Sequence, residues 1–519
     1  MKGAAEHTES EPSMELSSLL HDLHLSPSSS SEKPLPSASL PPITELLSRL
    51  QEKLIGSSSD AETSSLIGRV ELLFQTADPH WLFSPASSNR DGGWAELQVA
   101  YSSVVSALIG CAALPLCEDD SASLPASAYH GIPTRAAAVC SALTALLGTL
   151  GNVGGQSGVL LSVCPPVCVF SVTHFQDRPW TSPASRAAAR SLQEALLRAG
   201  RWRDSAHLLT GDEENRGMLG EILDVLQPQL SKDVWTRCEA VKFVFAWTLL
   251  QVTRPSLSPH LSRLLPPSLL LNDHYRPENC MLGVHCLHHI VLNTTPADLR
   301  QFNRAEVVYE AFFKHLYTSE AAVMQAVLPG LLDLLAVLEK PPSSLGPSPS
   351  HRKPCRHDDV LRLMLTHMEA ENKVALRRVY AAALPPYVDR MGVAVCRHLR
   401  RLERVVLGYL EVRDSPEETS RLKMLEVLEK SIRTAWPRMA CRVDVLLRCL
   451  LKLLLDVSVD SGLSDSVRQQ LTNQTSLCIK LLDGCSHGDV QRLLEQIDSS
   501  CCSPEVLCCL ATVTTRTGR

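Results

Sequence analysis

The sequence predicts an all-α protein: a HEAT/armadillo-like α-solenoid of irregular helical repeats with a disordered N-terminal tail. Its 519 residues exceed what one compact core usually supports, which favours several domains or a repeat array. Hydrophobic residues make up 45% of the chain but aromatic residues only 5%, a balance typical of packed helices rather than sheets. Apolar residues also recur at helical rather than alternating spacing in nearly every segment between two low-complexity breaks.

Two Ser- and Pro-rich segments divide the chain. Residues 1–42 hold few large apolar side chains and are predicted to form a disordered tail, although MELSSLLHDLHL (14–25) could form a helix or docking motif within it. Residues 339–357 are predicted to be a linker or protruding loop. These breaks predict an N-terminal helical-repeat block at 43–338 and a C-terminal helical-repeat block at 358–519.

The net charge and the cysteines narrow the class of protein. A formal charge of -6 gives no overall attraction for nucleic acid or anionic membranes, so neither is predicted as a partner. The first residues, MKGAAEHTES, lack the apolar core of a secretion signal. The 18 cysteines are therefore expected to be reduced thiols in the cytoplasm or nucleus. Several of them lie in apolar runs and should act as small buried hydrophobes: Cys140, Cys286, Cys449 and Cys478.

One uncharged stretch, residues 136–176, resembles a membrane span. Its apolar segment AAAVCSALTALLGTL has only 15 residues before GNVGGQSG interrupts it, whereas crossing a bilayer takes about 20. We therefore predict a buried helix followed by a loop. The glycine run GTLGNVGGQSG follows an Ala/Leu helix and has no Lys, so it does not match a phosphate-binding loop.

The C-terminal block offers the best example of a repeat. A helix opening at SPEETS is predicted to be amphipathic, with Pro437 ending or kinking it. Its apolar face consists of Leu422, Leu425, Leu428 and Ile432. The next segment, ACRVDVLLRCLLKLLLDV, is predicted to be mostly buried because its polar residues form only a thin stripe. That stripe consists of Asp444, Arg448, Lys452 and Asp456. Similar pairs are predicted at 232–252 with 258–271 and at 304–316 with 318–338.

The stretch NDHYRPENCMLGVHCLHHIV, residues 272–291, concentrates metal-ligand residue types. A helix beginning at Pro277 would place a core face on one side: Cys280, Val284, Leu287 and Val291. His285 and His289 then lie one turn apart on the far side, which is the spacing of zinc-binding helices, with His288 at the border. The run lacks the Glu of a zincin, and His274 would lie about 12 Å away along the axis. Packing is predicted here, and a zinc site remains the alternative.

No other pattern predicts a catalytic, cofactor-binding or metal-binding residue. The cysteine-rich end, with Cys501, Cys502, Cys508 and Cys509, and the isolated CPPVC at 164–168 match no zinc module. There is no G-x-S-x-G elbow and no H-E-x-x-H pair. The chain is therefore predicted not to be an enzyme and to need no cofactor.

One part of the chain is rich in basic residues although the whole chain has a negative net charge. Between Arg352 and Arg404 there are 12 Lys or Arg and 6 Asp or Glu, so the local sum is 12 − 6 = +6. One helix face carries Arg397, Arg400, Arg401 and Arg404, and its other side carries Cys396, Leu399, Leu402 and Val406. These four arginines form a basic stripe, which is either a solvated face or a docking surface for an acidic partner. Nucleic acid is disfavoured because no aromatic residues are interleaved with the arginines.

Residues 271–317 resemble the Tti-two family, the smallest subunit of the Triple T complex of Tel-two, Tti-one and Tti-two. The resemblance is carried, in order, by the NDHY turn, the LGVHCLHHI helix and the RAEVVYEAFFKHL helix after a short TPADLRQFN connection. It is specific over about 50 residues; elsewhere it is architectural only.

The resemblance implies a non-enzymatic HEAT-like scaffold in a heterotrimer with Tti-one and Tel-two homologues. It also implies work with the ninety-kilodalton heat-shock chaperone and its AAA-ATPase co-chaperone assembly. The clients would be phosphatidylinositol-3-kinase-related kinases, whose stability supports DNA-damage, telomere and nutrient signalling. Two alternatives stay open: another solenoid adaptor, such as a nuclear transport receptor, and a metal-dependent enzyme that uses His285 and His289.

Overall fold

The structure is a computed structural model that describes residues 11–23, 40–57, 59–85, 90–117, 124–152, 158–342, 353–486, 488–494, 496, 506–507 and 510–511. Within these residues the chain forms α-helices joined by short 3-10 turns and loops, with no extended strand. Its β-structure there is limited to a bridge between Gly211 and Arg216. The all-α prediction is confirmed.

The chain forms two compact units, Met1–Pro267 (unit 1) and Ser268–Arg519 (unit 2). The α-helices of unit 1 are α1 Glu11–Asp22, α2 Ile43–Gly56, α3 Asp60–Thr76, α4 Pro79–Leu82, α5 Arg90–Cys111, α6 Ile132–Asn152, α7 Gly158–His174, α8 Pro183–Ala199, α9 Ser205–Thr210, α10 Leu219–Leu226, α11 Glu239–Leu250 and the first part of α12 Leu261–Asn272. Helices α2, α5 and α7 pack side by side in one layer, and α3, α6 and α8 form a second layer against it.

Unit 2 begins inside α12 and repeats this two-layer arrangement. Its further helices are α13 Pro277–Asn293, α14 Pro296–Arg300, α15 Arg304–Phe313, α16 Ala321–Leu338, α17 Arg356–Ala370, α18 Val374–Met391, α19 Leu399–Leu410, α20 Thr419–Ala435, α21 Val443–Val459, α22 Asp465–Cys485 and α23 Asp489–Leu494. Helices α16, α18, α20 and α22 form one layer, while α17, α19 and α21 form the other. Each unit is thus an α-solenoid of irregular helical pairs, as the sequence predicted.

The pairing within the C-terminal block differs from the prediction. Helix α20 pairs with α19, and α21 pairs with α22, so the proposed partners belong to successive repeats. Their roles are also reversed. Helix α20, expected to be amphipathic, exposes only Arg433, because it is packed by α18, α19 and α22. Helix α21, expected to be mostly buried, exposes Val445 and Leu455 beside the predicted stripe of Asp444, Arg448 and Lys452.

Part of the predicted disordered tail is helical. Helix α1 packs on α3 and buries Leu19 and Leu20, and Leu23, which directly follows the helix, is buried as well. Burying a leucine contributes about 1.5–3 kcal/mol, which explains how a short segment in a Ser- and Pro-rich region can be ordered. Lys53 Nζ also donates to the carbonyl oxygen of Asp22 at 2.7 Å. Residues 1–10 and 24–39 of the tail lie outside the described part of the chain.

The predicted linker coincides with a gap between helices, since α16 ends at Leu338 and α17 begins at Arg356. The division between the two compact units lies elsewhere, after Pro267 and inside α12. Residues 343–352 of the linker are not among those described.

Two helical segments are long and apolar enough to cross a membrane by length and composition alone, Ala126–Asn152 and Ala321–Leu338. Helix α6 has 21 residues, longer than the predicted apolar run because it continues at both ends. It packs against α3 and α8, and α16 packs against α13, α15 and α18. Their most apolar windows are 44% and 50% buried by these contacts, as in core helices of a solenoid.

Candidate functional site

The four arginines of the basic stripe lie together at the surface of unit 2. Arg400, Arg401 and Arg404 project from α19, whose opposite face buries Leu399, Leu402 and Val406 as predicted. Arg397 belongs to the 3-10 turn Gly392–Arg397 that precedes this helix. The stripe therefore continues across a helix boundary, and Cys396 in the same turn is only half-buried.

These arginines line a surface concavity with a volume of about 480 Å³, which we call the arginine surface. Helix α17 supplies its other wall through Asp358, Asp359 and Arg362. Pro354 and His398 complete the lining. Of the 12 Lys or Arg residues between 352 and 404, five line this surface. Arg362 is an addition that the spacing along α19 could not predict.

Carboxylates from α17 neutralise much of the positive charge. Arg397 Nη1 lies 3.5 Å from Asp358 Oδ2. Arg404 Nη2 lies 3.3 Å and Arg401 Nε 3.8 Å from Glu369 Oε1. Partly exposed pairs of this kind contribute about 0–1 kcal/mol each, so their main effect is to fix the side chains. An approaching anion therefore meets arginines that are already oriented.

Arg400 differs from the other three arginines. The Arg400 side chain is exposed. Among the residues that the structure describes, none forms an ion pair or a side-chain hydrogen bond with it. Arg401, by contrast, donates from Nη1 to Thr366 Oγ1 at 2.9 Å. Arg400 is thus the member of the stripe whose charge is most available to a partner and least needed by the fold.

The histidine-rich stretch forms α13, and its predicted core face is confirmed. Helix α13 begins at Pro277, and Cys280, Val284, Leu287 and Val291 are all buried. The turn before it is held by His274. The backbone N–H of Arg276 donates to His274 Nδ1 at 3.2 Å, while Asn272 is buried at the end of α12 and lies 3.3 Å from the Ala311 carbonyl.

The three histidines on α13 point to different neighbours. His285 is exposed, and burial of part of its ring together with nearby His288 lowers its pKa. His288 Nε2 lies 2.9 Å from Asp333 Oδ2 on α16. His289 lies beside Asn293, with 3.2 Å between His289 Nδ1 and Asn293 Nδ2. The border residue His288 thus contacts a neighbouring helix, α16, through Asp333.

The cysteines that the structure describes are free thiols. Cys140, Cys286 and Cys478 are buried, as predicted, and Cys449 is half-buried. Burial raises the pKa of Cys140, Cys286 and Cys478 to about 12, so these thiols stay protonated and unreactive. The CPPVC run lies within α7, where burial raises the pKa of Cys168 to about 12. Cys501, Cys502, Cys508 and Cys509 fall outside the described residues.

The sequence did not predict an apolar groove of about 690 Å³ between α16 and α18. Much of its wall is made of small side chains: Ala321, Ala322, Ala375, Ala382 and Ala383. Alanine spacing within one helix does not reveal such a groove, because the groove exists only once two non-consecutive helices become neighbours.

Three mammalian proteins similar to this chain share one name. Human TELO2-interacting protein 2 is 50% identical over 339 residues, 65% of this chain and 66% of the human protein. The mouse protein of that name is 44% identical over 390 residues, 74% of this chain and 76% of its own length. The alignment with the human relative thus spans just under two thirds of that protein. No family model matches the chain.

Solved structures show a weaker likeness. Kap95p, from a study of its binding to RanGDP, aligns with a TM-score of 0.46 and 12% identity over 91% of this chain and 60% of its own. A Kap121p mutant aligns with a TM-score of 0.42 and 12% identity over 91% of this chain and 42% of its own. Scores of this size carry no argument about function.

Proposed function

The chain belongs to the TELO2-interacting protein 2 family, and from that premise we propose that it is a non-catalytic scaffold that binds a Tel-two homologue. The observation that carries this proposal is 44% identity to the mouse protein over 390 residues. Two-layer solenoids suit such a role because they present long helix faces on which another solenoid can dock.

The fuller form of the proposal follows the resemblance stated above. The chain would assemble with Tti-one and Tel-two homologues as a Triple T complex in the cytoplasm and nucleus. Through that complex it would support, with the ninety-kilodalton heat-shock chaperone and its AAA-ATPase co-chaperone assembly, the stability of phosphatidylinositol-3-kinase-related kinases. The chain itself would supply binding surfaces and no catalytic group.

Affinity purification of the tagged full chain from cells tests the proposal directly. We expect Tti-one and Tel-two homologues at amounts comparable to the tagged chain by quantitative mass spectrometry, because subunits of a permanent complex co-purify in fixed ratio. The tag alone serves as the control. Recovery of a transport GTPase without either homologue would overturn the proposal in favour of a transport receptor.

We further propose that the arginine surface docks an acidic segment of the partner. Charge reversal at Arg400 (Arg400→Glu) should weaken partner binding about 3- to 10-fold, because exposed charges at an interface rim mainly change the association rate and its salt dependence. The difference should shrink at about 1 M salt, where the Debye length falls to about 3 Å. Surface plasmon resonance with the purified partner measures both effects.

The matched control is Arg438→Glu, since Arg438 is an exposed arginine of unit 2 outside the arginine surface. It makes the same change in net charge. Equal losses in the two variants would mean that only overall charge matters. Unchanged binding of Arg400→Glu would leave the arginine surface as a solvated face.

A further inference from the structure

Three potential metal ligands meet at the junction between α16 and α17. Glu339 directly follows α16, and Cys355 and His357 stand at the start of α17. One ligand atom from each of the three side chains lies within 4.8 Å of the other two. His357 Nδ1 is 3.3 Å from Glu339 Oε2. Glu339 lies at one end of the segment that the sequence predicted to be a linker, and Cys355 and His357 lie at the other end. Neither end alone contains enough ligands to predict a metal site.

Surrounding groups hold these side chains in place. The backbone N–H of Arg356 donates to both carboxylate oxygens of Glu339, at 3.3 and 3.1 Å. The imidazole of His357 is only 1% exposed, and its Nε2 is buried without a hydrogen-bond partner in the described structure. The backbone donor orients the Glu339 carboxylate, as outer contacts orient ligating atoms in metal sites, and packing holds the His357 imidazole.

The Cys355 thiol faces a carboxylate whose charge is already balanced. Cys355 Sγ lies 3.3 Å from Asp358 Oδ2, which also accepts from the Cys355 backbone N–H at 3.0 Å. The other oxygen, Asp358 Oδ1, is 2.9 Å from His398 Nε2, and Arg397 Nη1 is 3.5 Å from Oδ2. Loss of the thiol proton would therefore not place two uncompensated negative charges side by side.

We propose that Glu339, Cys355 and His357 bind a Zn²⁺ ion that fastens the end of α16 to the start of α17. Thiolate, imidazole and carboxylate are all zinc ligands, and a thiolate in the set selects against Mg²⁺ and Ca²⁺. Tetrahedral Zn–N and Zn–O bonds of about 2.0–2.2 Å separate the two ligand atoms by about 3.3–3.6 Å, which matches the 3.3 Å between His357 Nδ1 and Glu339 Oε2. Binding replaces the S–H bond of Cys355 by an S–Zn bond and releases one proton to solvent; water fills the fourth position.

Metal content of the purified full chain, with its affinity tag removed, tests the site. We expect about one zinc per chain by inductively coupled plasma mass spectrometry, and less than about 0.2 per chain for Cys355→Ser, because the thiolate is the strongest ligand of the set. The control is Cys441→Ser, which changes an exposed cysteine outside the cluster and should keep its zinc. Zinc-free protein after incubation with zinc, or full zinc content in Cys355→Ser, would overturn the proposal.

Cobalt substitution supplies a readout that identifies the ligand. Co²⁺ bound by a thiolate gives a sulfur-to-metal charge-transfer band, which we expect in the unchanged chain and in Cys441→Ser but not in Cys355→Ser. Glu339→Gln removes an oxygen ligand whose side chain is 25% exposed, so folding should be preserved. It should keep the band while weakening Co²⁺ binding more than about tenfold. Absence of the band from the unchanged chain contradicts the site whatever the variants do.

Discussion

Replacing Arg421 by Met should destabilise the protein by about 3–5 kcal/mol, the usual effect of removing one partner from a buried ion pair. Arg421 is 1% exposed and Glu418 0% exposed, with 3.5 Å between Arg421 Nε and Glu418 Oε2. Arg421 Nη2 also lies 3.2 Å from Asp456 Oδ2. Met fills a similar volume but leaves the Glu418 carboxylate in the core without its cation. In a unit of about 250 residues this corresponds to a fall in Tm on the order of 10 °C.

Thermal unfolding followed by far-UV circular dichroism measures the effect as a shift of the apparent midpoint. Arg433→Met is the matched control, because Arg433 lies on the same helix but is 57% exposed, with its Nη2 3.0 Å from Glu429 Oε1. That i,i+4 pair contributes only about 0.3–0.5 kcal/mol. A second change, Glu418→Gln, in the Arg421→Met background removes the stranded charge and should recover part of the loss. Equal midpoints for Arg421→Met and Arg433→Met would contradict the assignment of a buried pair.

This ion pair also explains why the sequence misjudged α20. Helical periodicity correctly placed Leu425, Leu428 and Ile432 in the core. It does not place Arg421 and Ser431 in the core, yet both are buried. Arg421 Nη2 donates to Asp456 Oδ2 on α21, and Ser431 Oγ donates to the Val427 carbonyl oxygen within α20. Periodicity reports how one helix distributes its apolar residues. It cannot predict the burial of a charged residue whose oppositely charged partner lies on a different helix.

The candidate sites also combine features that the spacing within one helix predicts with features that only contacts between helices create. Spacing along one helix was enough to predict that Arg400, Arg401 and Arg404 share a surface. It could not predict that Glu369, on α17, pairs with two of them. The zinc proposal shows the limit more clearly, because Glu339 is separated from its partners by a segment without helical periodicity. Only the packing of α16 against its neighbours decides where the two ends of that segment meet.

Gly283→Ala should be the second strongly destabilising change, by about 3 kcal/mol. Gly283 lies inside α13, where a helix would ordinarily favour Ala. A Cβ on Gly283 would lie 2.6 Å from both the Cα of Asn272 and the carbonyl carbon of Leu271, at the end of α12. These are backbone atoms, which cannot rotate aside as a side chain can. Overpacking of this kind typically costs about 1–3 kcal/mol and sometimes more.

Movement of the α12 end would add to that loss. Asn272 is buried; its Nδ2 lies 3.3 Å from the carbonyl oxygen of Ala311, and its Oδ1 lies 3.1 Å from His315 Nε2. The control is Gly408→Ala on α19, where a Cβ meets nothing within 4 Å and the change should stabilise the helix by about 0.5–1 kcal/mol. Opposite signs for the two Gly→Ala changes, read as shifts in the unfolding midpoint, would show that backbone contact rather than helix propensity selects glycine at position 283. A neutral Gly283→Ala would mean that α12 and α13 are not in backbone contact.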